Sequence, residues 1–373
     1  MKPSDTVSRK GQALYVTLLI FTATIVEAAP AMAHDDARGP SPEGNFPRPD
    51  THDVARILFS PDSRQLIGLG CDRKTKRGII DFWDVKTHKL VRTLIQPAFV
   101  SAAAFTPDGK RLVTAGQDKK LYIHGGRDWQ TEYVFDNDPA KHTGRHLAMF
   151  PDGKRFLCGS RGFQGPRIWD LNKRKPTPLE SPNKLLSALA VSNNGKRFAV
   201  AYCGPITDVW DAEKLKVVGR LKLQEDEKRQ GVFESVAFSP NGKTIATGYL
   251  SYEGPPRVGI WDAATFKKIR DCQPVEEPVT AAEAIACSAD GKLLVACLEP
   301  GPDWPARIVV WEVETGKLVY QFRPAKEGPL AIALSPDGRW LVDCDFHSRL
   351  QLWDFQKIRN EMGKKKGGER GER

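Results

Sequence analysis

Past residue 26 the chain has no apolar stretch near the ~20 residues that a membrane-spanning helix requires. It contains no C-x-x-C pair, which removes the usual cysteine-based zinc and redox motifs, and no C-x-x-C-H for haem attachment. G-x-S-x-G, H-E-x-x-H and a phosphate-binding glycine loop are missing as well, so the common hydrolase, zinc-protease and nucleotide signatures are absent. No recognition helix or RNA-binding signature is present. Cysteine is sparse, with seven residues, an odd number that cannot all pair within one chain.

The first 33 residues differ from the rest. Lys2, Arg9 and Lys10 form a basic start, Ala13 to Val26 is an apolar run of 14, and "AMA" ending at Ala33 offers small residues for cleavage before polar "HDDARG". That order reads as a secretory signal peptide over 1–33, and the run is short for an anchor. The expected location is exported, periplasmic or secreted, or membrane-anchored if the signal stays attached, with no membrane insertion after cleavage. Removing 1–33 takes the net charge from +10 to +9, a basic balance suited to anionic partners.

What the chain has in abundance is one turn. "SPDS" at Ser60 recurs as "TPDG" at Thr106, "FPDG" at Phe150, "SNNG" at Ser192, "SPNG" at Ser239, "SADG" at Ser288 and "SPDG" at Ser335, at spacings of 42 to 49 residues. Proline presets φ for the second turn position, Asp or Asn suits the third, and Gly tolerates the backbone angles of the fourth. Ser63 stands where six copies have Gly, so the first turn is expected to be the most strained. Before each turn a column of Leu58, Ala104, Ala148, Ala190, Ala237, Ala286 and Ala333 alternates with Phe59, Phe105, Met149, Val191, Phe238, Cys287 and Leu334. Alternation places the two columns on opposite faces, so each sheet needs a neighbour on both sides. A later strand ends in Trp plus an acid at Trp83-Asp84, Trp169-Asp170, Trp210-Asp211, Trp261-Asp262, Trp311-Glu312 and Trp353-Asp354, with His124 at the tryptophan position of the second copy.

These motifs and their period resemble the WD40-repeat family across 54–357. The resemblance implies an all-β, seven-bladed β-propeller of WD40-type four-stranded blades, acting as a monomeric binding platform rather than an enzyme. The family's Gly-His dipeptide is missing, and His52 and His142 sit nearby out of register, so its Asp-His-Ser/Thr-Trp network is expected to be incomplete; a bacterial-type exported member would fit. Cys71, Cys158, Cys203, Cys297 and Cys344 fall on or just after second strands, and sheets about 10 Å apart keep them from bridging. Residues 34–53 read as a linker whose "GNFPRPD" either docks as a poor edge strand or leaves the last blade with three strands. Residues 358–373 read as a basic, disordered tail.

The loops between second and third strands collect basic and aromatic residues: Arg73, Lys74, Arg77, Lys120, Arg161, Arg257, Arg307 and Arg349 with Tyr252, Trp304 and Phe346. Tyr202 and Tyr249 lie in the same loops. Arg and aromatics are the residue types of binding hot spots, so one face is expected to carry a basic ring with aromatic edges for protein partners. A second reading is an anionic glycan or envelope polymer held by charge; nucleic acid is disfavoured by export. A third is a hydrolase or lyase at the channel mouth, using Glu234 and Glu283 as paired carboxylates. His142 and His146 with Asp136 and Asp138 form a weak metal candidate. No cofactor, metal or catalytic residue is assigned.

Overall fold

The computed structural model describes residues 40–136, 145–159, 165–181, 185–223, 231–251, 257–275, 279–300, 307–324 and 329–368. Among them, seven four-stranded antiparallel sheets form a β-propeller. Blade 1 runs through strands His52–Phe59, Gln65–Asp72, Gly78–Asp84 and Leu90–Gln96, and blades 2 to 6 repeat that meander. The first strands of neighbouring blades lie side by side around the centre, and the fourth strands form the rim. Within one sheet, Leu58 packs into the core shared with blade 2 while Phe59 packs into the core shared with blade 7. A two-sided apolar sheet is thus buried on both faces, as the alternation requires.

The repeated turn builds itself from side chains. In six copies the leading hydroxyl donates to the carboxylate or amide oxygen two residues on and accepts the N–H five residues on, as in Ser60 Oγ to Asp62 Oδ1 at 2.6 Å and Gln65 N to Ser60 Oγ at 2.9 Å. The fourth turn residue is left-handed in all seven copies, at φ 61° for Ser63 and 64–72° for the glycines. Each glycine in blades 2 to 7 faces the second residue of the preceding blade's turn, or the third at Gly242 (a Cβ added at Gly153 would lie 3.3 Å from the Pro107 ring), so the turns touch around the ring.

The Trp-Asp pairs close a second turn. Asp84, Asp170, Asp211 and Asp262 each accept backbone N–H bonds from the residues two and three positions on, and the residue four beyond is left-handed: His88, Arg174, Leu215 and Phe266. Trp129 and Gly316 hold the same position in blades 2 and 6. In blade 7 the position is Ile358. Asp354 accepts the N–H of Lys357 at 3.0 Å and caps a helix, Phe355–Gly368. The tail read as disordered from 358 is therefore helical to 368. Phe355, Ile358 and Met362 are buried against blades 6 and 7, which supplies the ordering energy that the sequence's glycines withhold.

Closure uses the chain's other end. Gly44–Asn45 pairs antiparallel with Leu350–Asp354 and completes the last blade with only two residues. Phe46 is buried beside Trp83 at 6.1 Å and His88 at 5.4 Å. Arg48 spreads its guanidinium over four carbonyls, those of Ser348, His347, Pro49 and His52, so a segment with few ladder bonds is held by one cation. No disulfide joins the seven cysteines, all of which are described, and burial pushes the Cys158, Cys272 and Cys287 thiols up to about 12. Among the described residues no helix is long and apolar enough to cross a membrane.

Candidate functional site

In this meander the turns at Ser60 and its equivalents share one face with the Trp-Asp turns. The loops between second and third strands share the other with the connections between blades. The basic and aromatic set lies on that second face, and its members meet different fates.

Lys74 and Arg77 of blade 1 and Lys120 of blade 2 are exposed, and Phe346 of blade 7 is 42% exposed. Arg349 is exposed beside Phe346, with Nε 3.3 Å from the buried Asp345 carboxylate. Arg73 is exposed as well, and it donates to the Asp50 carbonyl and sits 3.4 Å from Asp53 of its own blade. Arg307 is 9% exposed at the start of a third strand, Arg307–Glu312, so it does not stand out from the loop as the expected ring requires. Tyr202 and Tyr249 are buried too, Tyr249 against Phe233 at 6.2 Å. Arg161, Tyr252 and Trp304 lie outside the described residues, as do the loop positions around them; Arg257 begins a third strand, Arg257–Asp262, and its side chain also lies outside.

The described, exposed members therefore occupy one arc, blades 7, 1 and 2. The floor of that arc is cross-tied by hydrogen bonds. Arg48 ties the blade 7 loop carbonyls at His347 and Ser348 to blade 1, and Val54 N–H donates to Ser348 Oγ at 3.0 Å. Under it lies a hydrogen-bonded cluster that spacing alone did not reveal. His52, read as out of register, meets Asp81 through Nδ1 at 2.8 Å, and Thr93 donates to the other Asp81 oxygen at 2.5 Å. The Thr51 hydroxyl, with the Thr75 backbone N–H behind it, draws the Asp72 carboxyl down to about 2. In blade 2 the unusual His124 takes a bond from Gln96 at 2.8 Å, and burial holds its imidazole down at about 4. The signal for both clusters was present in the sequence as an odd histidine near each blade's polar column.

Glu234 and Glu283 both lie at register breaks on inner strands, where one residue is left out of the pairing, as are Ser101 and Ser187. A recurring bulge accounts for a polar column without any chemistry. Glu234 is partly exposed; the Glu283 side chain is outside the described set, and so are His142 and Asp138. Among the described residues no three His, Cys, Asp or Glu side chains converge as a metal site. On the opposite face an open groove of about 1080 Å³ lies between blades 2 and 3, walled by turn residues around Trp129 with Arg111 paired to Glu132 at 2.8 Å.

Two segments, 88–124 and 316–354, match the family model described as WD domain, G-beta repeat. Over 332 residues the chain is 23% identical to a guanine nucleotide-binding protein subunit beta of Solanum tuberosum, covering 82% of this chain and 81% of that one. It is 26% identical over 179 residues to the protein groucho of Drosophila melanogaster, which covers 48% of this chain but only 23% of groucho, so it spans less than a quarter of that relative. Among solved structures, Kuenenia stuttgartiensis hydrazine synthase superimposes with a TM-score of 0.68 at 15% identity, covering 84% of this chain and 98% of that one, a likeness of fold alone.

Proposed function

We propose that this chain, a WD40-repeat seven-bladed propeller, is an exported, non-catalytic scaffold that binds protein partners through the loop face of blades 7, 1 and 2. The observation that carries the reading is the arc itself: Phe346 exposed beside Arg349, with Lys74, Arg77 and Lys120 next along the ring on a clamped floor. An exposed aromatic flanked by cations on preorganised loops is the composition of a binding hot spot, and rigidity spares the ordering cost of association. WD40 proteins generally bind protein partners, which supports the class of function.

The test is affinity capture with residues 34–373 at low and high salt. Partners that survive high salt, and are lost with Phe346→Ala or with Lys74→Glu plus Arg77→Glu, support the scaffold. Retention of polyanions alone, vanishing as salt rises, replaces it with a charge-driven binder of an anionic polymer. Export is tested separately: N-terminal sequencing of protein from the producing cell finds His34 first if the signal is cleaved, and residue 1 or 2 if it is not.

A further inference from the structure

In six blades the two turns of the Ser60 face are tied to each other. The N–H of the residue after the acid of the Trp-acid pair donates to the carbonyl of the residue after the left-handed turn position, as in Val85 to Arg64 at 2.9 Å and Leu171 to Lys154 at 2.8 Å, and blades 4 to 7 repeat the bond. Blade 2 lacks it. There Gly125 replaces the acid, Gly126 follows and turns left-handed at φ 73°, and no bond joins the Gly126 N–H to the Lys110 carbonyl. A donor and an acceptor that satisfy each other in six blades are thus both open in the second, with no other partner among the described residues. A Cβ built on Gly126 would meet no atom within 4 Å, so free space begins at that residue.

That space belongs to the groove of about 1080 Å³ between blades 2 and 3, lined by both untied turns, the turn of blade 3 and Asn172. The carboxylates of the groove are satisfied within the blades. Asp108 accepts the Thr106 hydroxyl and the Lys110 N–H, Asp152 accepts the Arg155 guanidinium, and Glu132 accepts that of Arg111. Asp128, beside the groove, pairs with Arg92 of blade 1 at 3.2 Å. The cations are not satisfied. Lys110, Arg127 and Lys154 are exposed, and among the described residues their side chains make no hydrogen bond or ion pair. Lys243 and Lys292 hold the same exposed place after the turns of blades 5 and 6, but those turns are tied. Charge alone therefore does not distinguish blade 2; the open backbone pair and the groove do.

We infer that the groove between blades 2 and 3 docks an extended, acidic segment of a protein partner. The Lys110 carbonyl needs a donor and the Gly126 N–H an acceptor, and a peptide backbone supplies both, whereas an ionised sulfate supplies acceptors alone. Carboxylates on the segment face Lys110, Arg127 and Lys154, the three cations that the groove leaves unpaired. This goes beyond the loop-face reading, uses the opposite face of the ring, and stands or falls separately from it.

The probe is a labelled octapeptide of alternating glutamate and threonine, titrated against the full chain by fluorescence anisotropy at physiological salt, where charges more than about 8 Å away are screened. Saturable binding is expected. Lys110→Glu plus Lys154→Glu should weaken it about tenfold, since each reversal removes an attraction and adds a repulsion, and Arg127→Glu should weaken it further. Lys243→Glu plus Lys292→Glu, on tied turns, should leave it unchanged, as should Lys74→Glu plus Arg77→Glu on the loop face. The same peptide N-methylated throughout keeps its charge but has no donor for the Lys110 carbonyl, and should bind about tenfold more weakly. Three results would each overturn the proposal: no binding at millimolar peptide, an equal loss in the variant of blades 5 and 6, or equal affinity for the N-methylated peptide. Binding of polygalacturonate as tight as that of the peptide would also overturn it, and would make the groove a site for an anionic polymer. The substituted side chains are exposed, and unchanged melting temperatures establish that the variants are folded.

Discussion

The Ser63 hydroxyl accepts the backbone N–H of Asp337 at 3.1 Å, across 274 residues of sequence and the seam where the ring closes. Ser63 is also the one non-glycine among the seven left-handed turn residues, at φ 61°. The two facts oppose each other, since a left-handed L-residue costs about 1–2 kcal/mol and a hydrogen bond returns about 1. Ser63→Gly is therefore expected to stay within about 1 kcal/mol of the parent in urea unfolding. Ser63→Ala keeps the strain and loses the bond, and should be the less stable by about 1 kcal/mol. Ser63→Ala as stable as the parent would deny the seam bond any energetic role.

Closure rests on Phe46 and Arg48 more than on the two-residue strand they flank. Phe46 is 3% exposed against Trp83, and replacing it by Ala leaves a cavity worth about 3–5 kcal/mol. Phe46→Ala should lower the urea midpoint and make the segment at 40–50 open to protease before the rest of the ring. Uniform proteolysis along the chain instead would mean the seam is not the weak point.

The blades were legible because their turns demand particular residues, and a left-handed position or a hydroxyl that caps a turn leaves a mark in the sequence. The seam was half legible: the two prolines of "GNFPRPD" left open a poor edge strand or a three-stranded last blade, the first of which is found, and what decides it, Phe46 and Arg48, is non-local. The helix was hidden for the related reason that its glycines disfavour it locally. A clue existed at Ile358, a β-branched residue at a position that elsewhere turns left-handed, where it would be strained. The basic loop set was partly misread because Arg307 is already the first residue of a strand, where it is 9% exposed.

If Ile358 holds the helix to blade 6, its loss should be felt in the whole ring. Ile358 is fully buried beside Phe355 and Met362, so Ile358→Ala is expected to cost about 2–4 kcal/mol. Asp354→Ala, which removes the cap from Lys357 N–H, should cost about 1 kcal/mol. Urea unfolding measures both, and a helix that contributes nothing would leave the Ile358→Ala midpoint unmoved.

Two buried groups tilt stability with pH in opposite directions. Burial holds His124 at about 4, below its ordinary 6.5, so in that window the unfolded chain binds a proton that the folded chain refuses, and stability rises with pH. Burial, opposed by the bond from Trp353 and reinforced by Asp345, raises Asp343 from 3.8 to about 7. The folded chain keeps a proton there that the unfolded chain has released, so stability falls from pH 4 to 7 and levels above. Each slope amounts to about 3–4 kcal/mol across its window, and in the parent protein they largely cancel. His124→Gln should expose the falling slope alone, and Asp343→Asn, which keeps an oxygen for the Trp353 N–H, the rising one. Urea unfolding at pH 4.5, 6 and 8 separates them by slope rather than level, so any pH-independent cost of either substitution drops out. Parallel profiles for the two variants would show that neither group is held as its burial requires.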